Sequence, residues 1–303
     1  MSFTPAQRAF TPAETITRAA RATAPGISPR TRADRGRDVV VRRLYDKAKR
    51  LGTWDPAGIV FERDIRDWRR LSAEEQSLLL WVTSLFVDGE EAVTRDLLPL
   101  AEVLVHEGRL DDELFLTAWL WEEGKHADLF HRFDEHVLVG EPSLRAYRTA
   151  PGTQLLDHEL PSAMNALYTD PLPTAQTRAL VTYCLCVEGV LAEMGHRIYH
   201  ELLEPRDLMP GLRQGLSLVR RDESRHVAFG MHVMTRLRRA DSECREVALA
   251  QVAALRPLFE GLMGQLAYAL QGGVPWGLAG ALDKPLERLE RRLDRIDRVA
   301  QTD

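Results

Sequence analysis

Two segments a hundred residues apart, WEEGKH (121–126) and DESRH (222–226), each set a histidine three places after a glutamate. On a helix those two positions face the same way, so both side chains can reach one metal ion. One Glu-x-x-His pair constrains little, because such pairs are common as surface ion pairs. Two constrain the fold heavily if each is accompanied by a further glutamate on the buried stripe of another helix. Charged groups on apolar faces are costly unless they are paired or coordinated. Four helices must then converge, since carboxylate-bridged dinuclear sites take one glutamate from each of two bundle helices and a Glu-x-x-His pair from each of the other two. Two hard cations need several anionic oxygens, and histidine nitrogens leave coordination positions open for dioxygen.

The sequence supplies helices of the required length. β-branched residues are scattered without sustained alternation, so strands are not expected. Ser72 with Glu75 forms a capping pattern, and the helix it opens runs through LLLWVTSLFVDGEEAVTRDLLPLAEVLVHEG. A second helix, DDELFLTAWLWEEGKHADLFHRFDEHVL, ends near Gly140–Pro142. Pro151, Pro161, Pro171 and Pro173 then break the chain into short pieces. Residues 174–203 form a third long helix, and the run MPGLRQGLSLVRRDESRHVAFGMHVMTRLRR a fourth, with Pro210 near its first turn, where proline is tolerated. A fifth helix spans about 243–271. After GGVPWG, the tail sets Leu286, Leu289, Leu293 and Ile296 at three- and four-residue steps, the pattern of an amphipathic helix that docks on the body or pairs with another chain. The expectation is an all-α fold, a four-helix bundle core with additional helices. Its expected parts are a basic, flexible arm over 1–50, a helical di-metal domain over 51–272 and an amphipathic tail helix over 273–303.

The lone glutamates follow from helical spacing. Positions three, four and seven away from Glu90 are Thr83, Phe86, Val87, Val93, Thr94 and Leu97, a largely apolar stripe, whereas Glu91 leans toward solvent. In the third helix Glu188 is flanked by Val181, Cys184, Leu185, Leu191, Ala192 and Gly195. Glu193 has a more polar surround and forms a third Glu-x-x-His with His196, a decoy. Spacing decides between them: Glu90 precedes Glu123 by 33 residues and Glu188 precedes Glu223 by 35, one helix-pair plan used twice.

Composition narrows the class. With 303 residues and 45% hydrophobic content, the chain can build one large core or two small ones. A net charge of −5 argues against a dedicated nucleic-acid binder. Residues 1–50 are locally basic, with 12 Lys/Arg against 4 Asp/Glu, and read as a solvated arm. Three cysteines, Cys184, Cys186 and Cys244, without a CxxC motif fit a reducing cytosol better than a disulfide framework. No apolar signal core is evident, and no apolar run approaches 18 residues, so a cytoplasmic protein without a transmembrane segment is expected.

On WDPAGIVF (54–61), GEEAVT (89–94), EGRL (107–110), WEEGKH, VTYCLCVEG (181–189), LMPG (208–211) and DESRH, the chain resembles the R2-like ligand-binding oxidases, relatives of the ribonucleotide reductase small subunit. The resemblance runs through most of residues 54–235. It implies a ferritin-like bundle holding manganese and iron, one of each, or two iron ions, that activate dioxygen. Carried over residue by residue, Glu90, Glu123 and His126 would hold the first metal, expected to be manganese. Glu188, Glu223 and His226 would hold the second, expected to be iron. The resemblance also implies a self-made ether link between Val93 and Tyr183, a long-chain fatty acid or similar apolar ligand in a tunnel beside the metals, and a homodimer. Val93 lies one turn from Glu90 on the same stripe; Tyr183 precedes Glu188 by five residues, so in an α-helix its phenol would have to lean back toward the site. Electrons are expected from an external donor, because the chain has no nicotinamide or flavin fingerprint. The basic arm and the tail helix fall outside the match.

Related functions make different demands. A ribonucleotide reductase small subunit commonly carries its radical tyrosine four residues after the first histidine; that position is Phe130, and no tyrosine follows Tyr268. An acyl desaturase or hydroxylase would share the ligands and act on carrier-bound chains. A ferritin-like metal store would be shorter and show acidic entry surfaces.

Overall fold

Asp38 accepts hydrogen bonds from the amides of Val40 and Val41 and so starts the first helix, α1 (Val39–Leu51). The computed structural model describes residues 37–270 and 279–302. Helix α1 buries Val41, Leu44 and Ala48 against the body, and the Asp38 amide bonds Asp111. The basic arm expected over 1–50 therefore does not extend to residue 50: from Val39 onward it is helix, because one face of VVVRRLYDKAKRL is apolar. Its remainder, 1–36, lies outside the described residues, as does the GGVPWG breaker.

Among the described residues the regular structure is helical, with no strand. Helix α2 (Glu62–Trp68) leads into α3 (Ala73–Asp96), whose Ser72–Glu75 capping box forms in both directions. The single helix expected through residue 108 is in fact two, because the chain breaks at Leu97 and restarts as α4 (Leu98–Glu107) with Pro99 in its first turn. Gly108, at φ 77, ends α4 in the left-handed conformation that glycine adopts without steric cost. Helix α5 (Leu110–Val137) follows, then short helical turns over 144–168.

The third core helix is continuous but not uniform. It runs as α6 (Pro173–Leu180), a π-helical segment Val181–Ala192, and α7 (Glu193–Leu203). Helix α8 (Pro210–Ala240) starts at Met209 in a left-handed conformation (φ 48), and its first amides are met by carboxylates of α2. Asp64 accepts from Gly211 and Leu212, and Asp67 from Met209, which places anionic groups at the positive end of the helix.

Helices α3, α5, the π-containing third helix and α8 form the bundle around one apolar core. Phe115, Trp119, Phe130, Phe133, Tyr199 and Phe229 are fully buried in it. Helix α9 (Cys244–Leu270) packs on α6 and the π segment through Ala248, Val252, Leu255, Phe259 and Leu262. Its stretch Cys244–Leu266 is apolar enough on average to cross a membrane by length and composition, but Arg245, Glu246, Arg256 and Glu260 interrupt it, so no continuous apolar run approaches 18 residues. The tail helix α10 (Ala279–Gln301) docks on α8 and the π segment, burying Leu289, Leu293 and Ile296.

Candidate metal centre

Each bundle helix delivers one part of the centre. Glu90 comes from α3, Glu123 and His126 from α5, Glu188 from the π segment, and Glu223 and His226 from α8; all six are buried. Their donor atoms form two overlapping groups, Glu90–Glu123–His126–Glu223 and Glu123–Glu188–Glu223–His226, each within 4.8 Å. Glu123 and Glu223 belong to both, so they sit where bridging carboxylates would. His126 Nδ1 is 3.4 Å from Glu90, 3.3 Å from Glu123 and 3.3 Å from Glu223. His226 Nδ1 is 3.3 Å from Glu123, 3.4 Å from Glu188 and 3.7 Å from Glu223.

The group fits a pair of cations by its own chemistry. Glu90 Oε2, both Glu188 oxygens, Glu223 Oε2 and His226 Nδ1 are buried and make no hydrogen bond. Orphaned acceptors are rare in protein interiors, and these converge on two points. Carboxylate and imidazole donors without thiolate suit first-row metals such as manganese and iron. Burial pushes Glu90 up to about 8 despite the pull of His126. Burial and the neighbouring Glu223 push Glu188 up as well. Burial opposes ionisation of Glu123, but hydrogen bonds and charge from His126 and His226 hold it well below its ordinary range. Both histidines are raised, against burial, by surrounding carboxylates. This cluster demands positive charge.

The far side of each imidazole is held by an acid from the opposite helix. His226 Nε2 lies 2.9 Å from Glu122, and His126 Nε2 lies 3.5 Å from Asp222. Glu122 immediately precedes Glu123, and Asp222 immediately precedes Glu223. Outer carboxylates of this kind fix the tautomer and orientation of a ligating histidine. Arg225 bridges the two acids, donating to Glu122 and Asp222. Asp222 also accepts from Trp54 at 2.7 Å and from Lys125 at 3.2 Å. Lys125 itself is held by the Gly52 carbonyl and lies over the Trp54 and Trp121 rings. Trp119 donates to Glu123 at 2.6 Å and stacks on His226. The sequence reading missed all of these, although the doublets Glu122–Glu123 and Asp222–Glu223 were visible signals.

The competing residues separate cleanly. Glu91 is exposed and pairs with His131. Glu193 faces arginines of the tail helix, and His196 is buried in apolar surroundings that push it down to about 4; neither joins either group.

Tyr183 and Val93 are brought together. The Tyr183 hydroxyl donates 3.2 Å to the Val93 carbonyl and lies 3.3 Å from Glu123. The expectation that its phenol must lean back assumed an α-helix. In a π segment the i→i+5 pattern sets residues five apart nearly above one another, so Tyr183 and Glu188 share a face. Beside them a cavity of about 30 Å³ is walled by Trp81, Leu85, Phe86, Leu191, Met194 and Ile198, with Glu90, Glu188 and Glu223 at one side.

Acidic and histidine side chains converging from four helices, with two carboxylates common to both halves, define a carboxylate-bridged dinuclear metal protein. The family model of the ribonucleotide reductase small chain matches residues 37–254. Solved R2-like ligand-binding oxidases are similar along most of their length. One with an aerobically reconstituted Mn/Fe cofactor is 34% identical, with a TM-score of 0.75, covering 86% of this chain and 91% of that one. A glycine-to-leucine variant with a non-activated Mn/Mn cofactor gives 34% identity and a TM-score of 0.78 over 84% of this chain and 92% of that one. A valine-to-alanine variant with an anaerobically reconstituted Mn/Fe cofactor is 33% identical, with a TM-score of 0.75, over 86% and 92%. The chain belongs to the ribonucleotide reductase small-chain family, among its R2-like ligand-binding oxidases, and is an oxidoreductase of that dinuclear class.

Proposed function

We propose that this protein is a dioxygen-activating oxidase that holds one manganese and one iron ion, joins its own Val93 to Tyr183, and binds an apolar, fatty-acid-like ligand beside the metals. Glu90, Glu123 and His126 would hold the manganese and Glu188, Glu223 and His226 the iron, with Glu123 and Glu223 within reach of both groups. The observation that carries this reading is the pair of overlapping groups with their unpartnered, inward-facing oxygens. Bound together, the metals supply activation of dioxygen and oxidation of a nearby C–H bond. Electrons come from an external donor.

The protein's own residues prepare that chemistry. Glu122 and Asp222 hold the imidazoles in place. Burial and the charge on Glu123 keep Tyr183 protonated, so the hydroxyl proton stays on Oη, directed toward Val93 and Glu123. Joining Val93 to that oxygen would form a C–O bond and break one C–H and the Oη–H bond, the two protons and two electrons going to dioxygen. The apolar wall excludes water. At about 30 Å³ the cavity has room for a few water molecules at most, so a long apolar chain would enter only if its walls move apart.

Phe130 separates this reading from a reductase subunit that carries a radical tyrosine. It is fully buried and stacked on Phe86 at 4.8 Å, with no phenol hydroxyl where a radical tyrosine would stand. Some manganese/iron reductase subunits also have phenylalanine there, and from those the Val93–Tyr183 link is what distinguishes this reading. The test is to load metal-free protein with manganese and iron in air and map its peptides by mass spectrometry. The expected product is the Val93 and Tyr183 peptides joined with loss of two hydrogens, absent in anaerobic, Val93→Ala and Tyr183→Phe samples. Two bound metals with peptides that stay separate would shift the assignment to a desaturase or reductase.

A further inference from the structure

The tail helix touches the one metal-bearing segment that is not an ordinary α-helix. Arg292 of α10 donates through Nη1 to the Gly189 carbonyl at 2.6 Å and through Nη2 to Glu193 at 3.2 Å. Arg288, one turn earlier, pairs with the other oxygen of Glu193. Gly189 immediately follows Glu188. The family model ends at residue 254, so this contact is made by a part of the chain beyond it.

The local backbone explains why an arginine is needed there. In an α-helix the Glu193 amide would bond the Gly189 carbonyl; here that amide bonds Val190. The Gly189 carbonyl accepts from the Arg292 guanidinium. A Cβ at position 189 would lie 2.6 Å from Arg292 Nη1 and 3.0 Å from the Cys184 carbonyl, so a side chain there would push the guanidinium off its acceptor. The decoy glutamate thereby gains a role: Glu193 anchors the same guanidinium that caps Gly189. The two contacts bracket the turn that carries Glu188.

We infer that Arg292 is a positioning residue: the tail helix locks the π turn, and with it the orientation of Glu188, so docking of the tail is coupled to the half of the site built on Glu188 and His226. This rests on the dinuclear reading above. The Glu188 oxygens make no hydrogen bond and face His226 Nδ1 at 3.4 Å, so the backbone turn that carries Glu188 helps to set its orientation. Arg288 binds the tail to Glu193 without touching Gly189, which makes it the matched control.

Three full-length variants test the lock: Arg292→Ala, Arg292→Lys and Arg288→Ala. In metal-free protein, hydrogen exchange of amides 189–194 is expected to rise at least about tenfold in Arg292→Ala and to stay near wild type in Arg288→Ala. Competition titrations are expected to show roughly tenfold weaker retention of the ion at the Glu188–His226 half, and unchanged retention at the Glu90–His126 half. Lysine at 292 reaches one acceptor at a time and recovers part of both effects. Exchange and retention in Arg292→Ala equal to wild type would overturn the inference. So would equal losses in Arg288→Ala, which would mean that docking alone is at stake. A wild-type protein that takes up fewer than two metals would instead sink the dinuclear reading, while exchange in the metal-free protein still decides the lock.

Discussion

Arg225 offers the sharpest test of how the centre is supported, because one guanidinium serves both outer acids. Its side chain is 4% exposed, and those of Glu122 and Asp222 are 0% exposed, so solvent does little to screen the interaction. In Arg225→Met the two acids fare differently. Asp222 keeps Lys125, Trp54 and His126, whereas among the described residues Glu122 keeps His226. Removing one partner of a buried ion pair costs about 3–5 kcal/mol, chiefly from the charge left behind. Urea unfolding of metal-free protein, followed by far-ultraviolet circular dichroism, is expected to show a loss in that range. The orphan is identified by the double variant Glu122→Gln/Arg225→Met, in which the stranded charge is gone. It is expected to be more stable than the sum of the two single losses by about 2 kcal/mol. A single-variant loss below about 1 kcal/mol, or strict additivity, would refute the claim that Arg225 neutralises this pair.

Three further outcomes follow from the geometry. Burial depresses His196 to about 4, so the folded protein refuses a proton that the unfolded chain accepts below its ordinary value of 6.5; stability is full above that pH and falls as pH drops toward 4, by about 3 kcal/mol, and His196→Leu should flatten the urea midpoint across that window. Gly230→Ala would set a Cβ 2.5 Å from the Cys184 sulfur and 2.6 Å from its Cβ. A loss of about 1–3 kcal/mol is expected, only partly recovered by Cys184→Ala, which leaves the second clash in place. Filling the centre stabilises the fold by mass action, about 2.7 kcal/mol per site at a hundredfold excess over Kd, so chelation should lower the melting temperature of loaded protein and leave metal-free protein unchanged.

Much of this organisation was legible in the sequence because helical spacing is regular. The stripe around Glu90 and the paired Glu-x-x-His segments needed only the three- and four-residue rule. That rule failed over residues 181–192. A π segment has the same apolar composition as a buried α-helix, so nothing in VTYCLCVEGVLA announced the wider turn that brings Tyr183 over Glu188. The break at Leu97 was hidden for a related reason: proline at Pro99 is tolerated in a first turn and reads equally well as a kink or a new start. The crossed pairing of Glu122 with His226 and of Asp222 with His126 joins residues about a hundred positions apart, which helical periodicity within one segment cannot encode. Helix α1 was read as part of a disordered arm because its charged face dominates its composition, yet Val41, Leu44 and Ala48 suffice to dock it.

The central claim is that six side chains from four helices hold two different metals that share Glu123 and Glu223. Anomalous diffraction from crystals of manganese- and iron-loaded protein, collected on either side of each metal's absorption edge, tests it most directly. The account predicts two peaks, manganese beside Glu90 and His126 and iron beside Glu188 and His226, with Glu123 and Glu223 contacting both ions. A single peak, or a pair of ions that leaves His126 or His226 without a metal, would contradict it.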